Sequence, residues 1–146
     1  MIGVRDAREE DLLFLSQTEA SVFSDAWSES AIFSHLASEW AISVIAEEDG
    51  VPLGYLLGSV LAPESELFRI AVSPFSRRRG VARCLLDAFF EKVRARGGET
   101  VYLEVRESNL PARTLYESVG FETVGVRKNY YHRPSENAVI LVKGSL

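Results

Sequence analysis

One stretch limits the possible folds of this chain more than any other. The apolar run Leu67-Phe68-Arg69-Ile70-Ala71-Val72 leads through Ser73-Pro74 into Arg77-Arg78-Arg79-Gly80-Val81-Ala82, and then into a long amphipathic segment. Val81, Leu85, Leu86, Phe89, Phe90 and Val93 recur at helical spacing, so the pattern predicts a helix over Gly80–Arg96, stopped by Gly97-Gly98. A strand, a basic glycine turn and a helix make an anion site by simple physics. The first helical turn carries N–H groups without internal partners, and its dipole favours negative charge. Gly80 admits close approach to the backbone, Ala82 is nearly as small, and arginines supply forked donors for phosphate oxygens. The spacing is neither the Walker loop nor the dinucleotide fingerprint. Taken alone, the stretch also reads as a basic turn before a surface helix.

The remaining elements follow from local patterns. Ile2–Arg5 is a short strand candidate, and Asp6-Ala7-Arg8-Glu9-Glu10-Asp11 opens a helix with acids at its positive end. Leu12, Leu15, Glu19 and Val22 trace one side of it. Ser28 can cap a second helix carrying Ile32, Phe33 and Leu36. Trp40–Ala46 and Val51–Leu61 read as strands joined through Asp49-Gly50, a tight-hairpin pair. Val101, Leu103 and Val105 alternate with Tyr102, Glu104 and Arg106 as another strand. Ser108 or Asn109 can cap a helix with Pro111 in its first turn, running to Val119 before Gly120. Phe121–Arg127 and Ala138–Lys143 complete the set as antiparallel strands. The unit from Leu67 to Arg106 is expected to be a right-handed parallel crossover.

The bulk numbers exclude several classes. With 146 residues a single domain, 1–146, is expected. Sixteen basic against 21 acidic residues give a net charge of −5, which argues against nucleic acid as the main partner. Cys84 is the sole cysteine, so no internal disulfide forms, and its place on the helix suggests a small core residue. Met1-Ile2-Gly3-Val4-Arg5 lacks the plan of a signal peptide, and no apolar run nears the roughly 18 residues of a membrane span. A cytoplasmic protein with no membrane partner is the expectation. The histidines, His35 and His132, form no metal constellation, so no metal is expected.

Position alone leaves two side chains open. Glu104 lies near the end of a parallel strand beside a helix start, where α/β sheets place ligands, yet it could equally be a strand glutamate paired with Arg106. Tyr116 shares a helical stripe with Ala112, while Leu115 and Val119, one turn apart, are expected to face the core. A tyrosine there reads as a packed ring with its hydroxyl at the surface.

Several motifs together resemble a known family. The turn from Arg77 to Ala82 is similar to the (Gln/Arg)-x-x-Gly-x-(Gly/Ala) loop of the GNAT acetyltransferases. Leu115-Tyr116-Glu117-Ser118-Val119-Gly120-Phe121, Leu103-Glu104-Val105-Arg106 with Ser108-Asn109 and Ala112, Asn129-Tyr130-Tyr131, and Trp27-Ser28-Glu29 resemble its RimI branch, which acetylates the N-terminal alanine of ribosomal proteins. The resemblance covers roughly Val4 to Leu141. It implies a mixed, mainly antiparallel α/β (α+β) sheet with a splayed parallel strand pair and about four helices.

It also implies roles. Acetyl-CoA would be the co-substrate, held by Ile70, Ala71 and Val72 along its pantetheine arm and by Arg77, Arg78, Arg79, Gly80, Val81 and Ala82 at its pyrophosphate, with Asn109 and Arg113 nearby. Glu104 would be the general base and Tyr116 the general acid. A backbone N–H of the Ile70–Val72 strand would hold the oxyanion. Tyr130 and Tyr131, expected in the C-terminal loop with Asn129, would line the groove for a protein N-terminus, that of small-subunit ribosomal protein number eighteen; Trp27 would help build its wall, and the charge of Glu66 would attract a cationic terminus. The chain departs from the branch beside this groove: the loop from Tyr131 to Ala138 is short, and Asn137 stands where an aspartate is frequent. Another amine acceptor, or a non-catalytic acyl-CoA-binding module, are the alternatives.

Overall fold

A computed structural model describes residues Met1–Leu146. The strands are β1 (Gly3–Asp6), β2 (Ala41–Glu48), β3 (Val51–Leu61), β4 (Glu64–Val72), β5 (Thr100–Arg106), β6 (Glu122–Tyr131) and β7 (Glu136–Lys143). The helices are α1 (Leu12–Val22), α2 (Glu29–Ala37), α3 (Val81–Ala95) and α4 (Leu110–Ser118). Short 3-10 turns over Glu9–Asp11 and Pro74–Ser76 precede α1 and α3. No helix is long and apolar enough to cross a membrane.

The local signals behave as the physics requires. Asp49 and Gly50 both take positive φ, 52° and 78°, in a two-residue hairpin that matches the strand twist. Ser28 accepts from Ala31 N, and Asn109 accepts from Ala112 N, so both helices are capped by the expected oxygens. The α1 helix starts later than its acidic run suggests, because Asp11 turns inward. Both Arg5 Nη atoms donate to its carboxylate at 2.8 Å, and Arg8 N donates at 2.7 Å.

All seven strands form one sheet in the order β1-β2-β3-β4-β5-β7-β6. Every neighbouring pair is antiparallel except β4 and β5. That parallel pair meets only through Glu64↔Thr100, Ser65↔Val101 and Glu66↔Tyr102. Beyond Glu66 the two strands part, leaving one edge of Phe68–Val72 without a strand partner. On one side of the sheet α3 buries Val81, Leu85, Leu86, Phe89, Phe90 and Val93 against Leu56, Val101 and Leu103. On the other side Leu15 and Ile32 pack on Ile45, Tyr55, Leu57 and Ala71.

A bulge in β4 changes which residues reach which side. Leu67 pairs with Gly58 and Arg69 with Leu57, so Phe68 is the extra residue. Strict alternation would separate Phe68 from Arg69. Instead Phe68 packs on Trp27 and His35, and Arg69 meets Glu19 and Phe23, all contributed by α1, α2 and their connection. Three expectations from the sequence are corrected. Cys84 is half-buried rather than in the core. Asn129-Tyr130-Tyr131 is not in a loop but ends β6, where the register with β7 shifts between Arg127 and Tyr131 and Asn129 adopts φ 54°. In α4 it is Tyr116, 5% exposed, that enters the core, whereas Leu115 and Val119 are only partly buried at its margin.

Candidate active site

The glycine turn and the split in the sheet build one continuous groove. Arg78 and Gly80 both adopt left-handed backbone, φ 65° and 77°, which turns the chain sharply into α3. Gly80 caps α3 without any side-chain bond, so the first-turn N–H groups stay open to a ligand. A cavity of about 430 Å³ runs from this helix start, past Ile70, Ala71 and Val72, to Tyr116. Arg77, Arg78, Gly80, Val81 and Ala82 line it. Arg83 lines it too, a donor that the motif's spacing did not single out. The cavity offers what a long anionic thioester needs: cations and N–H groups at one end, an unpaired strand edge along its length, and a buried phenol at the other.

Two expected contributors point elsewhere. The Arg79 guanidinium binds Glu48 on β2, which also pairs with the Met1 ammonium at 3.2 Å, and it does not line the groove. Arg113 donates to the carbonyl of Glu107 at 2.8 Å, turned back against the start of its own helix, and lines none of the grooves described here. Both partners come from outside the motif, so the motif alone could not show the diversion.

Beyond Tyr116 the groove narrows to a notch of about 120 Å³ where Glu104, Asn109, Ile70, Tyr116 and Tyr131 converge. Tyr116 packs edge-on against Phe121 with ring centres 5.5 Å apart. Burial, and then Tyr131, push its phenol well above the ordinary range, so it stays protonated at neutral pH. Glu104 is half-buried. Its Oε1 lies 3.5 Å from Arg127 Nε, and its Oε2 is sealed from solvent with no hydrogen-bond partner in the protein. Burial and then Glu104 raise the Tyr130 phenol, and the same two causes push Tyr131 up to about 12.

On the far side of Glu104 lies a wider groove of about 700 Å³. Glu66, Phe68 and Arg69 form its floor, Ser24, Asp25 and Trp27 one wall, and Tyr130–Arg133 the other. Glu66 is exposed, and its carboxyl is raised first by partial burial and then by Glu104. Trp27 serves both as wall and as packing, its ring edge-on to His35 and tilted against Phe68. Asn137 has a structural task, since its side-chain oxygen accepts Asn129 N at 2.9 Å and so supports the positive-φ turn before Tyr130. Arg69, read from sequence only as a strand residue, and Arg106, which pairs with Glu136 while Glu104 pairs with Arg127, each hold one wall. Arg106 donates to the carbonyls of His132 and Pro134. Arg69 donates to the carbonyl of Asp25.

Comparison with known proteins agrees with this geometry. The model of the acetyltransferase (GNAT) family matches residues 9–121. The ribosomal protein bS18-alanine N-acetyltransferase of Haemophilus ducreyi is 35% identical over 136 residues, spanning 91% of this chain and 93% of that protein. The Escherichia coli enzyme of the same name is 35% identical over 117 residues, spanning 79% of this chain and 78% of its own. The crystal structure of the ribosomal-protein-S18-alanine N-acetyltransferase from Escherichia coli superposes with a TM-score of 0.91 at 32% identity, covering 99% and 94% of the two chains. That of Ard1 from Thermoplasma volcanium gives 0.90 at 25% identity, covering 99% and 98%. The split sheet, the glycine turn and these relatives lead to one assignment: the chain is an N-acetyltransferase and belongs to the GNAT family.

Proposed function

We propose that this chain is an acetyl-CoA-dependent N-α-acetyltransferase that modifies a protein N-terminus, and that its acceptor is the N-terminal alanine of ribosomal protein bS18. One observation carries the reading. Glu104 and Tyr116 reach the same notch, at the junction of a groove suited to a phosphorylated thioester and a groove with room for a peptide end. The names of the relatives support the acceptor, and solved relatives of this fold bind CoA or acetyl-CoA.

The chemistry divides between two side chains. An α-amine has a pKa of about 8, so it arrives mostly as an ammonium. Glu104, with one oxygen shielded and unpartnered, accepts that proton directly or through water. Bound acetyl-CoA supplies an activated acyl group. A main-chain N–H on the unpaired edge of Ile70–Val72 stabilises the oxyanion as the amine adds. As the carbon–sulfur bond breaks, Tyr116, held neutral by burial, gives its proton to the departing thiolate, and the proton shed by the newly acylated nitrogen restores the phenol. Arg77, Arg78, Arg83 and the start of α3 hold the pyrophosphate, and Asn109 sits beside the sulfur end.

The deciding experiment incubates the enzyme with acetyl-CoA and a peptide bearing the bS18 N-terminus, beside a panel of other termini, internal lysines and small amines. The expected product gains one acetyl group, located by fragmentation on the terminal alanine. Acetylation of small amines alone would remove the peptide acceptor, and cofactor binding without turnover on any amine would leave a binding module.

A further inference from the structure

The connection between α1 and α2, Phe23–Ser28, forms one wall of the acceptor groove but has almost no frame of its own. Ser24 to Trp27 make no main-chain-to-main-chain hydrogen bonds. Two buried side chains hold them instead. Glu19, fully buried on α1, accepts Trp27 N at 2.9 Å and the Tyr55 hydroxyl at 2.6 Å. Arg69, whose side chain is 13% exposed, brings Nε to 2.9 Å from Glu19 Oε2, a charge contact out of hydrogen-bond alignment. Its Nη2 donates to the Asp25 carbonyl at 2.7 Å and lies 3.4 Å from the Asp25 carboxylate. The same guanidinium sits over the Phe23 ring at 4.4 Å and near Trp27 at 5.8 Å.

Arg69 therefore touches three of the residues that shape this wall, and it also lines the groove itself. It reaches them only because the bulge at Phe68 turns it to this side of the sheet. A planar fork is needed for the arrangement: one edge faces Glu19, a second nitrogen bonds Asp25, and the flat face lies on Phe23. A lysine could neutralise Glu19 but could not do all three.

We propose that Arg69 is the positioning residue of the acceptor groove, holding the Phe23–Ser28 wall in the conformation that receives the acceptor terminus. This rests on the reading of that groove as the peptide site. Arg69 lines the acceptor groove and the rim of the notch but not the cavity at the donor's phosphate end; its side-chain partners are Glu19, Asp25, Phe23 and Trp27, so its effect falls on acceptor binding.

The test compares Arg69→Lys, which keeps the buried charge balanced, with the double variant Glu19→Gln/Arg69→Gln, which removes both charges together and guards against simple misfolding. Amide hydrogen exchange is read in the free enzyme, and KM and kcat are read with the bS18 N-terminal peptide. The expected result is exchange at the two hydrogen-bonded amides of this segment, Phe23 and Trp27, faster by about tenfold, with α3 and β5 unchanged. Peptide KM rises about tenfold while kcat stays within about twofold and acetyl-CoA KM is unchanged. Unchanged exchange in the loop overturns the proposal, as does a loosened loop with unchanged peptide KM, or an equal fall of kcat/KM for both substrates. If the wild type acetylates no peptide, the acceptor assignment fails by itself, and the exchange measurement still decides whether Arg69 holds the loop.

Discussion

The Arg106 guanidinium lies 4.5 Å from the centre of the Tyr131 ring. The same group donates to the His132 and Pro134 carbonyls, each at 3.0 Å, and meets Glu136 at 3.3 Å. One side chain at the end of β5 thus gathers the turn that joins β6 to β7. Glu104 lies two residues earlier on the same strand, so the proposed base and the groove's second wall share one support. Arg69 on β4 does the corresponding work across the split.

Replacing Arg106 by Met keeps much of the aliphatic stem and removes the charge and the forked donors. Two carbonyl bonds and a partly shielded cation–π contact vanish together, a loss of about 2 kcal/mol. Urea unfolding should show that loss as a lower midpoint with an unchanged slope, and peptide KM should rise several-fold. An unchanged midpoint would mean that the turn holds itself.

Glu104 and Tyr116, the proposed base and acid, should each cost turnover when removed. Tyr116→Phe keeps the buried ring against Phe121 and removes only the acid, so kcat should fall about 10²-fold or more while acetyl-CoA affinity is nearly unchanged. Glu104→Gln should fall by a similar factor. The pH profile supplies a second check. Burial raises the Tyr116 phenol, so the acid stays loaded as pH rises. The rate per peptide should climb through the acceptor amine's pKa, about 8, and show no fall from Tyr116 at mildly alkaline pH. Wild-type turnover in Tyr116→Phe would assign the proton to another donor.

What could be read from sequence was local. The buried face of α3, the Asp49-Gly50 hairpin, the Ser28 and Asn109 caps and the glycine at the start of α3 all depend on neighbours within about one or two turns. The family resemblance carried the split strand pair, which no periodicity reveals. What escaped was set by distant partners. Tyr116 enters the core because the chain reverses at Gly120 and brings Phe121 against it. Arg79 is drawn off by Glu48, and Arg113 by its own Glu107. Arg69 looked like an ordinary strand residue because a bulge is fixed by register across two strands, not by the composition of one. Glu19 was placed on the inner stripe of α1, but its burial needs Arg69 and Tyr55 from strands far along the chain.

Two glycines should fail in opposite ways. Gly80 takes φ 77°, yet a methyl group there would meet nothing within 4 Å. Gly80→Ala therefore costs only left-handed strain, about 1–2 kcal/mol, and its main effect should be a higher acetyl-CoA KM as the turn relaxes. Gly58 has ordinary backbone, but a methyl group would lie 2.6 Å from Phe89 Cε1 and 2.7 Å from the Glu66 carbonyl. Gly58→Ala should lower stability by about 3 kcal/mol, read as a drop in Tm, without a selective effect on acetyl-CoA. Interchanged phenotypes would contradict the roles given to the turn and to the strand contact.

The clamp of Arg5 on Asp11 gives stability a defined pH signature. The Asp11 side chain is 7% exposed. Its paired hydrogen bonds from Arg5 are the largest cause holding the carboxyl below its ordinary value, against the opposing effect of burial, and Arg8 N adds to them. A carboxyl depressed in the folded state stabilises it fully above the unfolded value, about 3.9. The contribution fades as pH falls through the lower folded value. Asp11→Asn should therefore cost about 3 kcal/mol near pH 7, where it leaves Arg5 with Glu47 as its only carboxylate partner. The gap between variant and wild type should narrow when urea unfolding is repeated at about pH 3 and below. A gap that stays constant across that range would show that shape, not charge, is what Asp11 contributes at the start of α1.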